Sequence, residues 1–326
     1  MKRLLVVDML NMYFRAYIVD PSLSTNGEPI GGIKGTLKII QKLVRETKPD
    51  EVIICWDGAG GSNRRKIVNK NYKEGRKPIR LNREIRNLTE KQELQNKVWQ
   101  QMRLGEILNE TPFIQLMFDS IEADDIVSFV VQNKRYAGWQ KIIVSSDKDF
   151  FQLLDEETVL YRPIQKEVLN KNMVIERYGI HPTNMALARA VVGDKSDNLQ
   201  GIQGIGLPTV SKRFPFLSEE QTYTIEDLVE YGETVPSTAK AYRSVIEGRQ
   251  LISENYKLMQ LYSPSISVQT VHKINNILDS FPRHFNKSAI RAMMLEDGFG
   301  EINWSDLFMV CNKISTEYRS QNVEEV

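Results

Sequence analysis

The sequence predicts an α/β fold with a predominantly parallel sheet flanked by helices. Three observations predict it. Short runs at residues 4–7, 51–56 and 142–144, apolar apart from the opening Glu51, each lead into an aspartate: Asp8, Asp57 and Asp147. The runs are continuous rather than alternating, as in strands buried on both faces. Segments with helical periodicity separate them, giving the β-α-β order of a parallel sheet.

In chain order, residues 4–7 form a central strand with Asp8 at its C-terminal end, and Asn11 and Arg15 follow in a turn and helix start. A Gly-rich loop is expected over 27–35 and a helix over 36–45, stopped by Pro49-Asp50. The strand 51–56 ends at Asp57, and a third strand is expected at 113–118. Glu122, Asp124 and Asp125 then open a helix reaching about residue 134. One acid in a first turn complements the macrodipole, but three exceed what capping requires. Glu122 and Asp125, three apart, share a helix face. The strand after them releases Asp147 and Asp149 at its end. A further strand is expected at 158–161 and a helix over 168–178.

Ligands of open α/β sheets sit outside the carboxyl ends of the strands. Asp8, Asp57, Glu122, Asp124, Asp125, Asp147 and Asp149 all fall on that edge. Carboxylates so crowded repel one another unless a metal ion or a bound base lies between them. Oxygen ligands without His or Cys select Mg²⁺ or Mn²⁺.

The whole chain sets bounds on this reading. Its 326 residues, 41% hydrophobic and 26% charged, are ordinary for a soluble globular protein with one large or two modest domains. The first residues are too short an apolar run for a signal peptide, and no run approaches a membrane span, so no membrane association is expected. The cysteines, Cys55 and Cys311, form neither a disulfide framework nor a metal-ligand spacing, and a reducing, cytoplasmic setting is expected. Net charge is +1, but residues 62–103 carry 13 Lys and Arg against four Glu, a net of +9. A basic segment beside an acidic body suits a polyanion held next to bound cations. Within it, Tyr72 beside Lys73 fits a gate for a nucleic-acid backbone, with cations on phosphates and a ring on a base.

A second constellation lies at 193–206. Asp194 and Asp197, three apart, can face one site, and Gly201, Gly204 and Gly206 form a tight turn ahead of a helix at 209–214. Such a turn exposes backbone N–H groups that bind phosphate without regard to base identity.

The ordered motifs resemble those of structure-specific 5′ nucleases, the flap endonuclease and bacteriophage 5′-3′ exonuclease family, including the phage ribonuclease H type. They are the strand ending in Asp8 with Asn11 and Arg15, the strand ending in Asp57, Tyr-Lys-x-x-Arg at 72–76, Glu-Ala-Asp-Asp at 122–125, Asp-x-Asp at 147–149, and Gly-Asp-x-x-Asp-Asn with Gly-Ile-x-Gly-Ile-Gly at 193–206. The resemblance implies a PIN-like nuclease core over 1–185 with a basic helical arch at about 62–104. It implies a helix–turn–helix duplex-binding element and a helical C-terminal region over 186–326. Asp8, Asp57, Glu122, Asp124 and Asp147 would hold a first divalent ion. Asp149, Asp194 and Asp197 would hold or tune a second, with Asp125 serving one or both. Lys73 would contact the scissile phosphate with Arg76 assisting, and Tyr72 would stack near the reacting nucleotide. Asn11 and Arg15 would place the substrate strand. Gly204, Gly206, Thr209, Lys212 and Arg213 would grip the duplex, with K⁺ at the turn. Relatives often carry a lysine two residues after that turn, where this chain has Pro208. Lys212 or Arg213 would then supply the charge.

The implied activity is two-metal hydrolysis of phosphodiesters in DNA or RNA–DNA at free 5′ ends and flaps. The setting implied is removal of RNA primers during phage DNA replication, by a monomer working beside single-stranded-DNA-binding or other replication proteins in the host cytoplasm. The alternatives are a non-catalytic protein that binds branched DNA, which would need no acidic cluster, and a PIN-type ribonuclease, which would generally lack the long arch and the Gly-rich turn. Helices around 239–261 and 288–294 are expected beside the duplex-binding element, and the polar end, 315–326, is expected to fray.

Overall fold

The computed structural model describes residues 1–323, and side chains through 320. A six-stranded sheet runs in the order β3-β2-β1-β4-β5-β6. The strands are β1 (Arg3–Asp8), β2 (Glu51–Cys55), β3 (Ile114–Leu116), β4 (Gln140–Val144), β5 (Thr158–Arg162) and β6 (Glu167–Leu169). All neighbours are parallel except β5 and β6. The chain builds β1, β2 and β3 outward, then returns to lay β4 on the other side of β1. Strand order therefore reverses between β1 and β4, and a crevice opens outside their carboxyl ends.

The helices are α1 (Met9–Val19), α2 (Gly31–Thr47), α3 (Asn63–Val68), α4 (Glu90–Asn109), α5 (Ala123–Val131), α6 (Lys171–Tyr178), α7 (Pro182–Val192) and α8 (Leu207–Arg213). Then come α9 (Ile225–Thr234), α10 (Lys240–Glu247), α11 (Arg249–Met259), α12 (Val268–Ser280), α13 (Lys287–Glu296) and α14 (Ser305–Val323). Period-2 alternation sends β1 residues to opposite faces. Leu5 and Val7 join a core with α1, α2 and α4; Leu4 and Val6 join one with α5, α7 and the helices beyond. Among the described residues, no helix is long and apolar enough to cross a membrane.

Several boundaries differ from the sequence expectation. The 27–35 segment is not all loop, because α2 starts at Gly31. A Cβ on Gly31 would lie 1.9 Å from the Asp20 carbonyl oxygen, so glycine here permits close contact between α1 and α2. Within the expected helical arch at about 62–104, the long helix begins only at Glu90, where Thr89 and Gln92 form a reciprocal capping box. The arch is thus the short α3, an irregular 69–88 stretch and the long α4. The expected helix 168–178 splits: Glu167–Leu169 pairs as an edge strand, and Asn170 caps α6.

The C-terminal region divides between the two faces. Helices α10 and α11 pack against α7, α8 and α9, as expected. Helix α13 does not lie with them. It packs on α4, and α14 packs on α2, because Ile290, Trp304, Leu307 and Cys311 bury into the other core. Residues 315–323 continue α14 rather than fraying, and Ser315 is buried. The acidic end at 324–326 lies outside the described residues.

Candidate active site

The expected carboxylate edge forms. Asp8 ends β1 and caps α1, accepting hydrogen bonds from the Asn11 backbone N–H at 3.4 Å and the Ser145 hydroxyl at 2.9 Å. Across the β1/β4 crevice, the Ser146 N–H donates to Asn11 Oδ1 at 3.0 Å, so Asn11 braces the end of β4. Asp57, just past β2, accepts from the Ala123 N–H at 2.8 Å, which ties it to the first turn of α5. Glu122 stands at the N-cap position of that helix without a side-chain capping bond, and Asp124 and Asp125 lie in its first turn. Asp147 accepts from the Asp149 N–H at 2.8 Å. The β4 end thus presents both aspartates from one tight turn.

Crowding and burial show in the electrostatics. Burial, then the charges of Asp124 and Asp57, hold the Asp8 carboxyl well above the usual carboxylate range. Burial, then Asp124, pushes Asp57 up to about 6. Burial, then Asp147, pushes Asp149 up to about 8, and Asp147 is itself raised by burial and Asp124. Asp125 is raised, chiefly by burial.

Side-chain cations thread between these acids. Lys73 Nζ lies 2.8 Å from Glu122 Oε1. Arg65, on α3, lies 2.5 Å from Glu122, 3.3 Å from Asp125 and 3.8 Å from Asp124. Its Nε also donates to the Leu258 carbonyl of α11 at 3.0 Å. Arg189, on α7, lies 2.7 Å from Asp149 and 2.6 Å from Asp194, which joins the second constellation to the β4 end. For Asp194, burial opposes ionisation, but the Ser196 hydroxyl and Arg189 hold its carboxyl below the usual range. Arg76 pairs with Asp197. Among the described residues, no three His, Cys, Asp or Glu side chains converge at metal-ligating distance as they stand.

The donor set nonetheless fits hard divalent cations. It is all carboxylate, it sits on rigid strand ends, and several members are too crowded to ionise together unaided. The ammonium and guanidinium groups occupy the positions where such charge is needed.

Other expected residues have more particular placements. The Tyr72 ring is only 2% exposed, packed with Leu199, Leu258 and Met259, and its hydroxyl donates to Glu122 at 3.2 Å. Stacking on a base would require the 69–76 turn to open. Arg15 is half-buried and has no ion pair among the described residues. Gly204 takes φ +78° in the turn before α8, Gly206 caps that helix, and the Thr209 N–H donates to its carbonyl. Pro208 sits in the first turn of α8, where its missing N–H costs no helical bond. Lys212 is exposed, and the Arg213 guanidinium lies over the Tyr242 ring.

Two functional candidates, Arg65 and Arg189, escaped the sequence reading. Arg65 was one of many charges in a basic run, and Arg189 sat in an apolar helix pattern. The one available signal for Arg189 was a cation five residues before Asp194.

Comparison with known proteins gives the family. Residues 3–179 match the family model described as 5′-3′ exonuclease, N-terminal resolvase-like domain. A 5′-3′ exonuclease of Aquifex aeolicus is 30% identical over 214 residues, covering 64% of this chain and 68% of that protein. A DNA polymerase I of Caldicellulosiruptor bescii is 26% identical over 288 residues, covering 83% of this chain but only 32% of the polymerase. In fold, the chain is similar to the bacteriophage T5 flap endonuclease crystallised with DNA and metal ions. The TM-score is 0.64 at 18% identity, covering 92% of this chain and all of that one. The sheet, its carboxylate edge and the family match over residues 3–179 agree, and the chain belongs to the 5′-3′ exonuclease family of nucleases.

Proposed function

We propose that the protein hydrolyses phosphodiesters at free 5′ ends and 5′-flap junctions of DNA and RNA–DNA, using two divalent cations, Mg²⁺ with Mn²⁺ as a substitute. The observation that carries this reading is the set of buried strand-end carboxylates that raise one another's pKa around the β1/β4 crevice. A non-catalytic binder of branched DNA would have no use for so costly a cluster.

Asp8, Asp57, Glu122, Asp124 and Asp147 would hold one ion, and Asp149, Asp194 and Asp197 the other, with Asp125 between. The bound ions supply Lewis acidity to water and to the phosphodiester. The chain's own groups do the rest. Lys73, already inside the carboxylate edge, would turn its ammonium from Glu122 to the scissile phosphate, where negative charge grows in the transition state. Arg76 at the mouth would assist it. The basic arch admits a single strand with a free end, and the Gly204–Gly206 turn with α8 reads duplex backbone, so little sequence preference follows. A potassium ion at that turn belongs to this reading on resemblance alone. So do the primer-removal role, a monomer, hand-off from a single-stranded-DNA-binding protein, and the cytoplasmic setting. The T5 relative's complex with DNA and metal ions is consistent with the reading.

The test is cleavage of a labelled 5′-flap DNA, a blunt duplex, a single strand and an RNA-primed duplex, in Mg²⁺ and in EDTA, with Asp147→Ala alongside. Mg²⁺-dependent cutting near the flap junction, lost in the variant, is expected. Tight flap binding without cutting in any divalent metal would overturn the proposal.

A further inference from the structure

The arch turn and the second aspartate loop meet at two residues with left-handed backbones. Lys73 has φ +59° and Asn198 has φ +57°. That region is disfavoured for lysine and tolerated by asparagine, so the Lys73 backbone is held there by what surrounds it. Four contacts surround it. The Asn198 side-chain amide donates to the Asn71 carbonyl at 2.9 Å. The Lys73 N–H donates to the Asp197 carbonyl at 2.9 Å. Arg76 Nε donates to the Ser196 carbonyl at 2.9 Å. The Tyr72 ring packs on Leu199. The Asn71 carbonyl also accepts from the Glu74 N–H at 2.9 Å, closing the turn that contains Lys73. The Asn198 amide therefore braces the oxygen on which that turn closes.

The aspartate loop is rigid enough to act as a brace. Asp194 and Leu199 exchange backbone hydrogen bonds at 2.9 and 2.7 Å, and Asp194 Oδ1 accepts from the Ser196 N–H at 2.7 Å. Gly193 has φ +74°, and a Cβ there would meet the Gly201 nitrogen at 2.4 Å, so the loop stays closed against the chain that follows it.

We propose that Asn198 is a positioning residue for the reaction: its amide docks the arch turn at Asn71 and so aims the Lys73 ammonium into the carboxylate edge. Asn198 touches no reacting atom and acts through Lys73. The inference rests on the nuclease reading, in which Lys73 reaches the scissile phosphate. It adds that Lys73 is placed from outside the arch, by a loop more than a hundred residues later.

The test uses Asn198→Gly, which keeps the left-handed backbone and removes the amide, and Asn198→Asp, which keeps the shape and replaces the donor with an acceptor. Flap cleavage in Mg²⁺ is measured as kcat and KM, together with hydrogen exchange over residues 69–76. One neutral hydrogen bond is worth about a three- to tenfold effect. Both variants are expected to lower kcat by that factor, leave KM within about twofold, and speed exchange at 69–76. In a Lys73→Ala background, Asn198→Gly is expected to add no further loss, because the two act as one unit. An additive loss, or a KM change at constant kcat, would overturn the proposal. Wild-type cleavage with unchanged Asn198 variants overturns this inference alone. An inactive wild type overturns the nuclease reading, and unaltered exchange at 69–76 would still overturn the docking contact.

Discussion

Arg65 and Glu122 meet at 2.5 Å, with side chains 11% and 3% exposed, and this pair closes the arch base onto the carboxylate edge. The same guanidinium faces Asp124 and Asp125. One arch cation therefore balances three acids.

Removing that cation should expose their repulsion. Breaking a buried ion pair from one side costs about 3–5 kcal/mol. Because Lys73 still faces Glu122, the lower end is expected for Arg65→Ala in EDTA. Mg²⁺ should restore part of the loss. Denaturant unfolding with and without Mg²⁺ reads both numbers, and an Arg65→Ala protein as stable as wild type in EDTA would count against the pairing.

The raised carboxylates predict a pH trend in the absence of divalent ions. Asp57 sits at about 6 and Asp149 at about 8 when folded, both above their unfolded values. The folded state thus binds more protons, and the stability linked to these groups is present at low pH and lost as pH rises through those values. Between about pH 4 and pH 8 their contribution should fall in EDTA. With Mg²⁺ the fall should flatten, because a bound cation favours the ionised forms. Melting curves across that range decide it; an identical pH slope with and without Mg²⁺ would contradict the placement of metal at these residues.

Asp147 should trade stability for function. Its charge is the largest electrostatic contribution raising Asp149, after burial. Asp147→Asn should therefore raise the melting temperature in EDTA while lowering flap cleavage by at least about 100-fold. A destabilised Asp147→Asn protein would show that the acid serves the fold.

The opposite end of the sheet supplies a control. Glu51 opens β2 and is bonded by Arg283 at 2.7 Å and by the Tyr136 hydroxyl, all buried. Arg283→Ala leaves an acid buried with one neutral partner and should cost about 3–5 kcal/mol. Cleavage per folded molecule at low temperature should be unchanged, since the pair lies away from the carboxyl ends of the strands. A selective loss of kcat would show coupling through the sheet.

The sequence alone determined the α/β class, the strands β1, β2 and β4, and the edge on which Asp8, Asp57, Asp147 and Asp149 fall. The reason is local. A short continuous apolar run bounded by turn residues is too short for a helix and reads as a buried strand, and the residue that ends it lies at its carboxyl end whatever the rest does. The Glu122–Asp125 helix start was legible in the same way. Tertiary structure alone decided which cations meet those acids. Arg65 comes from α3, Arg189 reaches Asp149 from α7, and Lys73 comes from a turn held by Asn198, and no spacing in the chain encodes those long-range approaches. It also decided that Tyr72 is buried rather than presented, and that α13 and α14 cross to the far face. Apolar periodicity shows that a helix has a face to bury, whereas the partner that buries it depends on which surface the assembled sheet leaves open.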